Sequence, residues 1–113
     1  MAQVLKVESE GKPFSSMRVI VCKTDEEAEE IFHMKGEGLL DPRPMSDHAV
    51  WGNRAGLIDA FAHTFIGRKG NLVFEIVLYE GAGMASKEEL ARMHQQYLSE
   101  RRELDTLIER IMR

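Results

Sequence analysis

The stretch "VWGNRAGLIDAFAHTF", residues 50–65, decides which fold this chain adopts, because it fits two periods at once. Trp51, Ala55, Ile58, Ala62 and Phe65 recur at the i, i+4, i+7, i+11, i+14 spacing of one helix face, and Val50, Leu57 and Phe61 widen that stripe. Gly52, Gly56 and Ala60 fall on a neighbouring face, where they would admit another backbone. Each glycine costs a helix about 1 kcal/mol relative to alanine, so a start only after Gly56 is a variant of the same reading. The competing reading makes "LIDAFAHTFI" a strand, hairpinned through "GRKGN" to the segment that follows. Its alternation is genuine but less complete. The expectation is therefore a deep-lying helix over Trp51–Phe65, with Ser46 available as its cap.

Downstream, "NLVFEIVLYE" is the clearest strand. Leu72, Phe74, Ile76 and Leu78 line one side, and Val73, Glu75, Val77 and Tyr79 the other. The second side is amphipathic and is expected to face solvent, a ligand or a partner subunit, with Glu75 on the wet face. "GAGMASKEEL" breaks the strand, and Ser86 with Glu89 has the spacing of a capping box. A last helix follows from Lys87 nearly to Arg113, about 40 Å long at 1.5 Å per residue. Leu90, Tyr97, Leu104 and Ile111 are seven apart, but Glu100 and Arg101 interrupt the second seam of a coiled coil.

Upstream, "AQVLKVE" and "MRVIVCK" read as strands that can pair across a long loop. "TDEEAEEIFHMKGEG" switches to the helical period: Thr24 caps, Asp25, Glu26 and Glu27 complement the dipole, and Gly36 stands where a helix can end. "GEGLLDPRPM", with two prolines two apart, cannot be helix or central strand and reads as a loop pinned by Leu39 and Leu40. Together these make one α+β domain over residues 1–113. It is two-layer, a small antiparallel or mixed sheet of three to five strands packed against helices, with a long C-terminal helix.

An apolar content of 43 % with 30 % charged residues is that of an ordinary globular protein, and 113 residues suffice for a modest core. The net charge of −4 argues against broad nucleic-acid binding, which needs a cationic surface. No apolar run approaches the roughly 20 residues of a membrane span, and "MAQVLKVESE" resembles neither a signal nor a transit peptide, so the expected location is cytoplasmic. Cys22 is the single cysteine and reads as a buried small hydrophobe.

The candidate chemistry is sparse. Asp59 and His63, four apart, would share a helix face and could act as an acid–base pair. With His48, Asp47 or His33 they could also hold a metal, but no tight ligand motif is present, and no metal or cofactor is expected. No "GxSxG" nucleophile and no phosphate-binding glycine fingerprint occurs. Trp51, Phe61, Phe74 and Tyr79 could instead line an apolar cleft between helix and sheet, the usual form of a small-molecule site. The leading expectation is a homodimeric, non-enzymatic module that holds a small apolar or amphipathic ligand or a partner peptide there. The alternatives are a small acid–base enzyme using Asp59 and His63, and an interaction domain working through Leu90, Tyr97 and Leu104 of the last helix.

Overall fold

A computed structural model describes residues 3–7, 16–55, 61–80 and 86–113, with backbone only at 3–7, 54, 55, 61, 62, 79 and 80. Six strands and two helices follow one another as β1 (Gln3–Val7), β2 (Ser16–Val21), α1 (Asp25–Glu37), β3 (Leu40–Ser46), β4 (Ala49–Ala55), β5 (Phe61–Lys69), β6 (Leu72–Glu80) and α2 (Lys87–Met112). The strands form one sheet in the order β1-β2-β6-β5-β4-β3, antiparallel at every junction. β3 to β6 are a meander, and β2 closes on the far side of β6.

The helix expected over Trp51–Phe65 does not exist. Its two ends are strands, β4 and β5, paired Val50 to Ile66, Trp51 to Phe65 and Asn53 to His63. The physical reason lies in what covers the sheet. Trp51, Phe65, Ile76 and Leu78 face α2, whereas Val50, Ile66 and Val73 face α1. A strand buried on both sides carries apolar residues at both parities, so its alternation blurs and its apolar run can match a helical stripe. Ser46 does cap, but it caps a turn: its Oγ accepts from the His48 N–H at 3.2 Å, at the hairpin joining β3 to β4.

The α+β packing of an antiparallel sheet against helices, with a long C-terminal helix, is present. Each helix forms a two-layer unit with the sheet they share: α1 crosses β5 and β6 on one face, and α2 lies along the same two strands on the other. Both helix starts obey the sequence. Thr24 Oγ1 accepts from the Glu27 N–H at 3.1 Å, and Ser86 Oγ from the Glu89 N–H at 3.2 Å. α1 runs past Gly36 and is capped at Gly38 instead.

"GRKGN" makes the β5–β6 hairpin with two loop residues, since Lys69 pairs with Leu72. Gly70 has φ +59°, the positive value that the first loop position of a type II′ turn requires and glycine supplies without strain. Gly52 serves another need. A β-carbon there would stand 2.7 Å from Leu39 Cβ, so β4 accepts only glycine where Leu39, 6 % exposed, plugs the α1 face. Leu40, expected beside it in the core, is turned out and 58 % exposed.

"LDPRPMS", residues 40–46, is an edge strand rather than the expected loop. Its pairing with β4 shifts register between Leu40 and Arg43 and again between Pro44 and Ser46. Prolines and bulges are tolerated at a sheet edge, where they also discourage pairing with another chain.

Among the described residues the second side of β6, with Val73, Glu75 and Val77, is buried rather than open to solvent. α1 covers it, and Glu75 is 4 % exposed there, taken by Lys35 Nζ at 3.0 Å and Arg18 Nη1 at 3.6 Å. The amphipathic pattern came from a carboxylate that α1 and β2 neutralise, not from a wet face. Tyr97 and Leu104 of α2 are buried against the other side. Part of the apolar surface that suggested a second subunit is thus covered within the chain, while Leu90 of α2 stays 44 % exposed.

Candidate functional site

α2 lies over β5 and β6, and the sheet continues beyond it through β4 to β3. On that face a cleft opens between the helix and the β3–β4 hairpin. Its floor is Trp51, 5 % exposed, with the Phe65 ring beside it at 5.5 Å between centroids and tilted by 55°. Its wall is one stretch of α2.

Arg101 organises that wall. Its guanidinium carbon stands 3.6 Å from the Trp51 ring centroid, a cation–π geometry. Nη1 donates to Tyr97 Oη at 3.0 Å, and Nε donates to Asp105 Oδ1 at 3.1 Å. The Tyr97 ring in turn stacks on His63 of β5, 4.3 Å between centroids and 25° from parallel. The Trp51 Nε1 donor is buried without a hydrogen-bond partner among the described residues, so ring contacts rather than polar ones hold the indole.

Two adjoining cavities occupy the cleft. The smaller, about 140 Å³, lies among Asp41, Arg43, Asn53, His63, Tyr97 and Arg101 above Trp51 and Gly52. The larger, about 560 Å³, runs along Pro44, Met45, Ala49, Ile108 and Met112 toward the end of α2. Arg43, Trp51 and Arg101 line both. Asp41 sits in the first bulge of β3 with φ +49°, a left-handed value uncommon for any residue but glycine and best tolerated by aspartate and asparagine. Bulges at sheet edges re-aim side chains. This one brings Arg43 to the cleft, with Nη2 3.4 Å from Asp41 Oδ2.

Of the four residues expected to line an apolar cleft, Trp51 floors it, and Phe74 lies on the same sheet face, 8 % exposed and absent from both cavity walls. Phe61 and Tyr79 belong to β5 and β6, and their side chains are outside the described residues. Of the proposed acid–base pair, His63 lines the smaller cavity from a strand, without the helical spacing that set it beside Asp59, and Asp59 lies outside the described residues. The metal partners considered for them are dispersed. His33 is exposed on α1, 3.8 Å from Glu29, and His48 meets Arg68 Nη2 at 3.3 Å in the β3–β4 turn. Among the described residues no three His, Cys, Asp or Glu side chains converge as metal ligands. Cys22 is 3 % exposed, and burial, with Glu27 adding to it, pushes its thiol pKa up.

Arg43, Asn53 and Arg101 are cleft residues that sequence reasoning did not select, and Tyr97 was expected on an interaction surface of the last helix instead. One signal for them existed: Arg101 breaks the apolar seam of α2 at the point where the helix passes Trp51.

Fold and cleft together define a class: an α+β domain whose antiparallel sheet is covered by one helix per face, with a mixed polar–apolar cleft beside the C-terminal helix. Comparison with protein-family models, curated proteins and solved structures gives no match for this chain. Among the described residues no helix is long and apolar enough to cross a membrane.

Proposed function

We propose that this chain is a binding module for a small amphipathic ligand seated between the β3–β4 hairpin and α2. The observation that carries this reading is the pair of adjoining cavities, one polar and one largely apolar, joined at Arg43, Trp51 and Arg101. Such sites are concave, lined mainly by apolar groups, and use a few placed polar side chains to fix orientation. The strained backbone at Asp41 supports the same location, since uncommon backbone conformations concentrate at ligand sites. One chain supplies every wall of the cleft, so the reading requires no second subunit.

Trp51 is the single tryptophan, so intrinsic emission reports on this cleft alone. Titration with a panel of small amphipathic metabolites is expected to give a saturable change for a subset, with a rise in melting temperature as ligand stabilises the native state. Unchanged emission and melting across an amphipathic panel at millimolar concentration would overturn the reading.

A further inference from the structure

Resting on that cleft reading, we infer that the ligand is a monocarboxylic acid with an apolar body, its carboxylate held in the smaller cavity by Arg101 and Arg43 and its chain laid along Pro44, Met45, Ile108 and Met112. Charge is the first argument. Arg43 and Arg101 line the smaller cavity, and their counter-charges take only part of each fork, Asp41 at Arg43 Nη2 and Asp105 at Arg101 Nε, so N–H donors of both remain for one carboxylate. The larger cavity sets the same two arginines against Asp105 and Glu109, so it offers no net attraction to a second charge.

The donors are arranged for a planar anion. Trp51, Tyr97 and Asp105 fix the Arg101 guanidinium, while its Nη2 carries no partner among the described residues. A fixed fork loses little rotamer freedom when it pairs with a carboxylate. Arg43 is the complementary case. Its side chain is 80 % exposed and meets Asp41 at 3.4 Å, a weak surface pair that an incoming carboxylate can replace. Arg43 also lines both cavities, so it can close over the head group without leaving its strand.

Size agrees. A cavity of about 150 Å³ accommodates benzene, and the smaller cavity, about 140 Å³, is ample for a carboxylate and its first carbons. Beyond it Met45 and Met112 give the adaptable wall that suits a flexible chain.

The test uses the full chain and four ten-carbon probes below their micelle concentrations: decanoate, decanol, decylammonium and decyl phosphate. Trp51 emission is expected to give decanoate a Kd about tenfold or more below that of decanol, with the weakest binding for decylammonium. Added salt should narrow the gap. Arg43→Gln should weaken decanoate about tenfold and decanol much less, and because Arg43 is so exposed the variant keeps its fold, checked by far-UV circular dichroism. Decanol or decylammonium binding as tightly as decanoate would overturn the carboxylate while leaving the cleft reading in place. Decyl phosphate binding much tighter than decanoate would overturn it in favour of a dianionic head group. No binding by any of the four would remove both this inference and the cleft reading.

Discussion

The guanidinium carbon of Arg101 stands over the Trp51 ring, 3.6 Å from its centroid, and so joins the C-terminal helix to the second strand of the meander. Its place is set by Tyr97 and Asp105 on its own helix. Arg101→Ala is expected to destabilise the protein by about 1–2 kcal/mol, the worth of a partly desolvated cation–π contact with its hydrogen bonds. Arg101→Lys should recover only part of that, since a point charge cannot stack as the planar fork does. Both variants should shift Trp51 emission to the red. Urea unfolding with emission spectra checks the pair, and an unshifted spectrum in Arg101→Ala would contradict the contact.

Leu104 is the deepest apolar residue of α2, with no exposed surface, whereas Leu90, two heptads earlier, is 44 % exposed. Leu104→Ala should cost about 2–5 kcal/mol, through lost transfer energy and an unfilled cavity. Leu90→Ala should cost well under about 1 kcal/mol. Were Leu90 the more costly, the helix would have to sit with its other end against the sheet. Denaturant midpoints of the two variants decide it.

How this helix reads in sequence, and why its neighbours mislead, has a common physical root. Thr24 and Ser86 announce α1 and α2 because a cap is a local bond, made by a residue three positions from its partner. Leu72 to Glu80 announces β6 because its own length suffices. The stretch from Val50 to Phe65 misleads because Val50, Trp51 and Phe65 take their environment from α1 and α2, lying far off in sequence on opposite faces. The cleft is less legible still. Trp51 was selectable as a bulky apolar residue, but the polar half depends on Arg43 meeting Arg101, and that proximity follows only from the sheet order β5-β4-β3. Glu75 is similar: nothing local shows that Lys35 will reach it.

Gly52 and Leu39 form a close pair whose cost is measurable. A methyl at residue 52 would stand 2.7 Å from Leu39 Cβ, so Gly52→Ala is expected to destabilise by about 1–3 kcal/mol through overpacking. At Gly70 the expected cost is about 1 kcal/mol and backbone in origin, because φ is +59° and no atom stands near the added methyl. The double-mutant cycle with Leu39→Ala distinguishes the two mechanisms. In it Gly52→Ala should cost less than in the parent, and Gly70→Ala should cost the same.

The ion pair beneath α1 should behave as a buried one. Lys35→Met would take from Glu75, 4 % exposed, its close cation at 3.0 Å and leave Arg18 at 3.6 Å, and is expected to cost about 3 kcal/mol. Lys35→Met combined with Glu75→Leu should be more stable than Lys35→Met alone, because it removes a buried carboxylate that has lost its close cation. Chemical denaturation of the three proteins tests the ordering. A double variant worse than either single change would mean that Glu75 is held mainly by contacts other than Lys35.

Cys22 links stability to alkaline pH. Burial, with Glu27 adding to it, raises the thiol pKa in the folded protein. The unfolded chain therefore releases this proton first as pH rises. The contribution of Cys22 is full below the ordinary thiol range and falls as pH climbs from that range through the folded-state value. Stability measured at successively higher pH should accordingly decline more steeply in the parent than in Cys22→Ala, whose buried methyl has no proton to lose. The same burial, with the thiol 3 % exposed and its Sγ near the Ile20 carbonyl at 4.0 Å, predicts slow reaction with a thiol reagent in buffer and fast reaction in denaturant. Parallel pH slopes in the two proteins would show that the thiol keeps its proton equally in both states, and rapid labelling of the native protein would show that the strand end at Cys22 opens easily.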